Sequence, residues 1–356
     1  MKAVQYEEYG RLPRIVEVAD PLPGPGDAVV AVAATGVCRS DWHAWRGHEP
    51  VSLPHIPGHE WAGRVHALGS GVANWMVGDR VTAPFVCGCG ACAYCRGGAA
   101  QVCPDQIQPG FTANGSWAER VLVPLADTNL VALPSGVDDL TAAALGCRFA
   151  TAYRALTVHG RLQTGQWLAV YGCGGVGLSA VLIGVALGAR VIAVDPRPGP
   201  RQLALDLGAQ LALDSASNTP TQIQAVGGVH VSIDAIGRAD TARASISSLR
   251  RRGRHVQVGL LFGEHASPAL PMELVVAHEL EIYGSHGMAA HEYPAMLAAL
   301  SEGTLDLGVL VGAVITLDEA GTALAAMSET GPAQGAGVGM TVISLSAEAS
   351  ATRRQA

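Results

Sequence analysis

The stretch Cys89-Gly-Ala-Cys92-Ala-Tyr-Cys95-Arg-Gly-Gly-Ala-Ala-Gln-Val-Cys103 constrains this chain more than any other. Four cysteines in so short a span can close around one ion, and soft thiolate donors in tetrahedral array select zinc. The segment is rich in Gly and Ala and has little apolar bulk of its own, so a metal clip would turn binding free energy into local folding free energy. The competing use of such cysteines is disulfide bonding. That use is not expected here, because Met1-Lys2-Ala3-Val4-Gln5-Tyr6 runs straight into charged residues with no secretory signal. Cys87 leaves one ambiguity of register, since it can stand in for Cys89 as the first ligand.

The 356 residues suffice for two domains. Hydrophobic residues make up 49% and charged ones 15%, and no apolar run reaches the roughly 18 residues of a membrane span. The longest candidate, 178–187, is too short. Net charge is −7, from 23 basic and 30 acidic residues. That balance argues against nucleic acid as a partner, and the run Arg250-Arg251-Arg252 is too short to reverse it. Eight cysteines without a secretory signal fit a reducing cytoplasm.

The first part of the chain reads as β-rich, with short strands expected over 28–33, 61–68, 80–85 and 117–124 between Gly- and Pro-containing turns. From about Thr141 buried strands alternate with helices. Strands are expected at 167–171, 190–194, 229–235 and 255–260, and helices at 176–187 and 200–207. This alternation implies a parallel, doubly wound sheet. The end returns to mixed texture, and 346–356 reads as a frayed tail.

Gly172-Cys-Gly174-Gly175-Val176-Gly177 follows the first strand of the alternating region and opens a helix. Gly172 permits a tight turn, Gly174 lets a pyrophosphate approach the backbone, and Gly177 lets helix and strand pack closely. Helix-start N–H groups then meet the phosphate charge. Asp195 ends the next strand, where a carboxylate accepts bonds from ribose hydroxyls and repels a 2′-phosphate. NAD is therefore expected over NADP. Arg197 and Arg201 stand against that preference if either reaches a 2′-phosphate; otherwise they line a solvated helix entrance.

Three further pieces flank the cysteine lobe: Gly36-Val-Cys38-Arg39-Ser40-Asp41-Trp42-His43, then Pro57-Gly58-His59-Glu60, and finally Gly146-Cys147-Arg-Phe-Ala-Thr151. With these, the chain resembles the zinc-dependent medium-chain alcohol dehydrogenases over nearly its whole length. Members without zinc, such as quinone reductases, lack the metal-binding motifs. The resemblance implies an α/β protein with a GroES-like β-rich catalytic domain (1–148, with a structural zinc lobe at 87–103), a doubly wound (Rossmann) cofactor domain (149–285), and a return to the catalytic domain over 286–356. It implies two zinc ions per chain. Cys38, His59 and Cys147 would be the catalytic ligands, with an open fourth position; Cys89, Cys92, Cys95 and Cys103 would be the structural ones.

By the same resemblance Asp41 orients the histidine ligand, and Glu60 approaches the metal during ligand exchange. Ser40 opens a proton relay that ends at His43, for which an imidazole titrating near pH 7 is suited. Arg39 contacts the pyrophosphate, and Thr151 and Val176 fall near the nicotinamide. Phe85 and Trp42 are the pocket-wall candidates, favouring a hydrophobic alcohol. For Asp41 the alternative is a turn cap, for Glu60 a buried ion-pair partner, for Ser40 a turn hydroxyl, for His43 a solvated residue, and for the tryptophans plain core packing. Many relatives carry an Arg in a Gly-Arg-x-Val element near the C-terminus; this chain has Gly339-Met340-Thr341-Val342. The expected reaction is reversible hydride transfer between an alcohol and its carbonyl compound, in a homotetramer or homodimer. An NADPH-preferring aldehyde reductase, a non-catalytic NAD binder and a redox sensor are the alternatives.

Overall fold

The computed structural model describes residues 1–216, 218–328 and 339–345; the tail expected at 346–356 lies outside them. The chain divides into two units, Met1–Ala150 with Gly287–Ala356, and Thr151–His286.

The first unit is built on a seven-stranded sheet. Its central strand is Ala28–Val37, ten residues long and apolar on both faces, so it is buried along nearly its whole length. It pairs antiparallel with Trp61–Leu68 on one side and with Met340–Ser344 on the other, and also with Arg120–Val123. The pairing of Thr341 with Val37 through Ser344 with Ala34 brings the end of the chain back into the first unit. The strand expected over 80–85 stops at Thr82, just before Pro84, which has no N–H to give a ladder. Two apolar clusters fill this unit. One is centred on Val30, Trp61, Val65 and Val121, the other on Tyr6, Trp45, Ile56 and Trp117. Trp45 and Trp61, which flank the ligand-bearing segments, are core residues.

The second unit is a six-stranded parallel sheet in the order Leu211–Leu213, Arg190–Val194, Trp167–Tyr171, Val229–Asp234, Leu249–Gln257, Glu281–Gly284. Numbered along the chain this is 3-2-1-4-5-6, with the order reversing beside Trp167–Tyr171. Ligands of open parallel sheets bind at that crevice, beyond the carboxyl ends of the strands. The basic run 250–252 lies within Leu249–Gln257, with all three arginines exposed. Among the described residues no helix is long and apolar enough to cross a membrane.

A polar network is enclosed in this unit. His255, 1% exposed, receives the Ser245 and Ser232 hydroxyls at Nδ1 (3.0 and 3.3 Å) and places Nε2 3.2 Å from Gln257 Oε1. The amide oxygen can only accept, so Nε2 carries a proton, and in the neutral ring Nδ1 is the acceptor that faces the serine hydroxyls. Burial pushes its pKa down to about 4. A folded-state pKa below the unfolded value means the native state binds fewer protons. The stabilisation is therefore complete above about pH 6.5 and is lost as pH falls from there toward 4. Between pH 7.5 and 5.0 this group should remove about 2 kcal/mol of stability. Urea midpoints of the native protein and of His255→Gln should diverge in pH dependence by that amount; parallel curves would refute the assignment.

Candidate active site

In the cysteine lobe, Sγ of Cys89 lies 4.0 Å from that of Cys95, and Sγ of Cys92 lies 3.8 Å from that of Cys103. A tetrahedron with zinc–sulfur bonds of about 2.3 Å has edges of about 3.8 Å, so the donor set fits one zinc ion. Backbone N–H groups of Cys89, Cys92 and Cys95 point at the sulfurs of Cys103, Cys89 and Cys92, as suits thiolates. Cys87 does not compete. It is buried in the apolar cluster beside Val81 and Ala83, its backbone bridged to Ile107, and burial pushes its thiol up to about 12.

The second donor set is gathered from three distant places. Cys38 precedes the helix Arg39–Trp45, His59 leads into the strand Trp61–Leu68, and Cys147 sits in a wide π-type turn, Leu145–Phe149. Their donor atoms lie within 4.8 Å of one another, and His59 and Cys38 are buried. Helical widening of this kind is frequent at functional sites. Asp41 holds the set in register. Its Oδ1 accepts the His59 Nδ1–H at 2.9 Å and the Gly58 N–H at 3.1 Å, while Oδ2 accepts the Cys38 N–H at 3.0 Å. Turn cap and histidine orienter are thus one residue. With Nδ1 committed, the buried Nε2 has no hydrogen-bond partner. An orphaned ring nitrogen beside two sulfurs is what a zinc ligand set looks like, and the carboxylate behind the histidine completes it.

Glu60 pairs with Arg148. Fully buried, it accepts the backbone N–H groups of Cys147 (3.2 Å) and Arg148 (2.9 Å) and the Arg148 Nε (3.1 Å) at Oε1. Its Oε2 lies 2.6 Å from Arg148 Nη2, an ion-pair contact without good hydrogen-bond alignment. The structure thus shows Glu60 in its ion-pair role. Gly36 makes room for the pair, since a Cβ there would lie 2.5 Å from Glu60 Oε2 and 2.9 Å from Arg148 Nη2. Arg148 was not singled out from the sequence, although a charge beside a candidate ligand is a signal. Phe111, with its ring 4.8 Å from that of His59, carries no sequence signal; Phe85, which does, is 6.1 Å away and edge-on. Both phenylalanines are buried against the histidine.

Ser40 Oγ lies 3.8 Å from Cys38 Sγ. His43 meets His48 through their Nδ1 atoms at 3.0 Å. Burial, then His48 and Arg39, push the His43 pKa down to about 4, so the expectation of an imidazole titrating near neutrality is corrected: His43 is neutral there. Trp42 is half-buried against the Tyr6 and Trp45 cluster, and its Nε1–H donates to Ser328 Oγ at 2.8 Å, which gives the ring a packing role. The Arg39 guanidinium stacks on Trp42 at 4.9 Å and donates to the Met327 carbonyl at 2.7 Å. Met340 is 1% exposed in its strand and supplies no charge.

In the second unit Gly172 takes a φ of +93°, where a Cβ would also meet Ile236 at 2.5 Å. A Cβ at Gly177 would fall on the Gly172 carbonyl oxygen, so helix Gly175–Ala186 can approach the turn only with glycine there. Gly174 precedes this helix and has open space where its Cβ would be, a cradle that fits a pyrophosphate. Val176 lies half-buried in the first turn, and Thr151 is buried on helix Ala150–Arg154. Asp195 is 3% exposed, and Oδ2 accepts the Cys173 N–H at 2.8 Å.

Residues 24–135 match the family model described as "Alcohol dehydrogenase GroES-like domain", and residues 175–302 match that described as "Zinc-binding dehydrogenase". An alcohol dehydrogenase of Geobacillus stearothermophilus is 36% identical over 290 residues, covering 80% of this chain and 84% of the relative. The structure of alcohol dehydrogenase TADH from Thermus sp. ATN1 superposes with a TM-score of 0.88 at 30% identity, over 97% of this chain and 99% of that one. A zinc-binding dehydrogenase of Sinorhizobium meliloti 1021, bound to NADP, superposes with a TM-score of 0.84 at 27% identity, over 96% and 98%.

Proposed function

The chain belongs to the zinc-dependent medium-chain dehydrogenases and is an alcohol dehydrogenase, and from that premise we propose that it oxidises a hydrophobic alcohol reversibly with NAD, holding two zinc ions. The observation that carries the zinc assignment is the partnerless His59 Nε2 beside Cys38 and Cys147, its other nitrogen committed to Asp41. When bound, zinc supplies a Lewis acid that stabilises an alkoxide, and NAD supplies the hydride acceptor.

The chain's own residues do the rest. Cys38, His59 and Cys147 would hold the catalytic ion and leave a fourth position for the substrate oxygen. Asp41 keeps the His59 proton on Nδ1 and so keeps Nε2 basic. The Ser40 hydroxyl accepts the alcohol proton while releasing its own toward solvent. His43, being neutral, passes a proton rather than storing one, and exposed His48 on its Nδ1 opens the route to solvent. Phe85 and Phe111 exclude water beside His59 and favour an apolar substituent on the carbinol carbon. Gly172, Gly174, Gly175 and Gly177 shape the pyrophosphate turn, and Asp195 receives the adenosine ribose. Cys89, Cys92, Cys95 and Cys103 would hold the second zinc. The working molecule is a cytoplasmic homo-oligomer with no nucleic-acid partner.

The test is zinc per chain by elemental analysis together with NAD reduction over benzylic and medium-chain alcohols. About two ions and turnover are expected. One ion without turnover would leave a metallated lobe on a non-catalytic nucleotide binder and overturn the reading.

A further inference from the structure

Cys147 is carried on a peptide group that is held at both ends. In an ordinary helix the Ala150 N–H would bond the Gly146 carbonyl, four residues back. In the widened turn Leu145–Phe149 it reaches the Leu145 carbonyl instead, so the Gly146 carbonyl loses its usual donor inside the protein. The Tyr293 hydroxyl supplies one, donating to that carbonyl at 3.2 Å. The Gly146 C=O and the Cys147 N–H belong to one planar unit. At its other edge this unit gives its N–H to Glu60 Oε1, also at 3.2 Å. A peptide plane gripped by a donor on one edge and an acceptor on the other is fixed in rotation, and with it the start of the Cys147 side chain. The plane also lies against the segment that carries His59. A Cβ at Gly146 would come 3.3 Å from Glu60 Cα and 3.5 Å from the His59 carbonyl oxygen.

We propose that Tyr293 is a positioning residue for Cys147, acting through the Gly146–Cys147 peptide in opposition to Glu60. The inference rests on the reading of Cys38, His59 and Cys147 as a zinc site. Tyr293 opens the helix Tyr293–Ser301, is fully buried, and belongs to the segment with which the chain returns to the first unit. That segment reaches the site twice, since a Cβ at Gly287 would lie 2.8 Å from the Phe85 ring. Without the hydroxyl, the Gly146 carbonyl is buried and short of a partner, a state proteins avoid. The nearest remedy is for the carbonyl to recover the Ala150 N–H, which closes the widened turn into ordinary helix and draws the Cys147 sulfur away from Cys38 and His59.

The experiment uses protein with zinc in the cysteine lobe and either zinc or cobalt at the catalytic set, and compares the native chain with Tyr293→Phe and Met296→Ala. Phenylalanine keeps the ring and removes only the hydroxyl. Met296 is buried on the same helix and offers the turn no donor, so its variant reports loss of packing alone. In chelator competition Tyr293→Phe should hold the catalytic ion about tenfold more weakly, with the lobe ion held as before. The thiolate-to-cobalt absorption should shift as well. Met296→Ala should lower the melting temperature and leave both readouts where they were. Unchanged affinity and cobalt spectrum in Tyr293→Phe, or equal changes in the two variants, would overturn the positioning role whatever the melting temperatures. A native protein that takes up no second ion would instead remove the zinc-site reading on which the inference stands.

Discussion

Replacing Cys147 by alanine should lower the zinc content from about two ions per chain to about one and cut turnover by at least about 10³-fold, with the melting temperature little changed. The size follows from the several kcal/mol that a Lewis acid contributes to a developing alkoxide, at about 1.4 kcal/mol per factor of ten. The substitution is a clean one. Cys147 gives its sulfur to the buried donor set, but it meets Glu60 only through its backbone N–H, which alanine retains. The cysteine lobe shares no donor with that set and should keep its own ion. Metal analysis of the purified variant beside steady-state kinetics decides the matter. Full turnover with one ion missing would show that Cys147 is not a catalytic ligand.

Replacing Arg148 by methionine should cost about 3–5 kcal/mol of stability, because it strands the Glu60 carboxylate in the interior. Glu60 has no exposure and Arg148 only 6%, so water cannot take over the missing charge. Burial raises the Glu60 pKa and Arg148 only partly offsets it, so removing Arg148 leaves the desolvation of the carboxylate unopposed by its partner. The double variant Glu60→Gln with Arg148→Met should recover most of the loss, since removing both charges removes the desolvation cost as well. Urea unfolding of the single and double variants gives the comparison. A loss below 1 kcal/mol in the single variant, or a double variant less stable than the single, would show that the pair is not what holds the Leu145–Phe149 turn to the sheet.

In the second unit Trp167–Tyr171, Arg190–Val194 and Val229–Asp234 were legible as short runs rich in apolar residues, whereas Leu211–Leu213 and Glu281–Gly284 were not anticipated. Leu249–Gln257 was less legible: Arg250, Arg251, Arg252 and Arg254 break the apolar pattern, so only its end was anticipated. The π-type turn around Cys147 was not legible at all, because a one-residue widening of a helix leaves no periodic mark over five residues.

Residues close in sequence carry their chemistry in their spacing. The four-cysteine lobe and the turn from Gly172 to Gly177 are of this kind, and local backbone geometry alone suffices to interpret them. The parallel sheet follows likewise from alternation along the chain. What only the tertiary structure decided are the relations between residues far apart, or between side chains with several possible partners. Cys38, His59 and Cys147 meet because a sheet, a helix start and a widened turn bring them together. Glu60 faces Arg148 because Gly36 leaves room for both. His43 is neutral because burial and His48 outweigh its ordinary basicity. A sequence names the groups that can ionise, donate or ligate. Which of them are desolvated, and against whom, is settled only when the chain has closed around them.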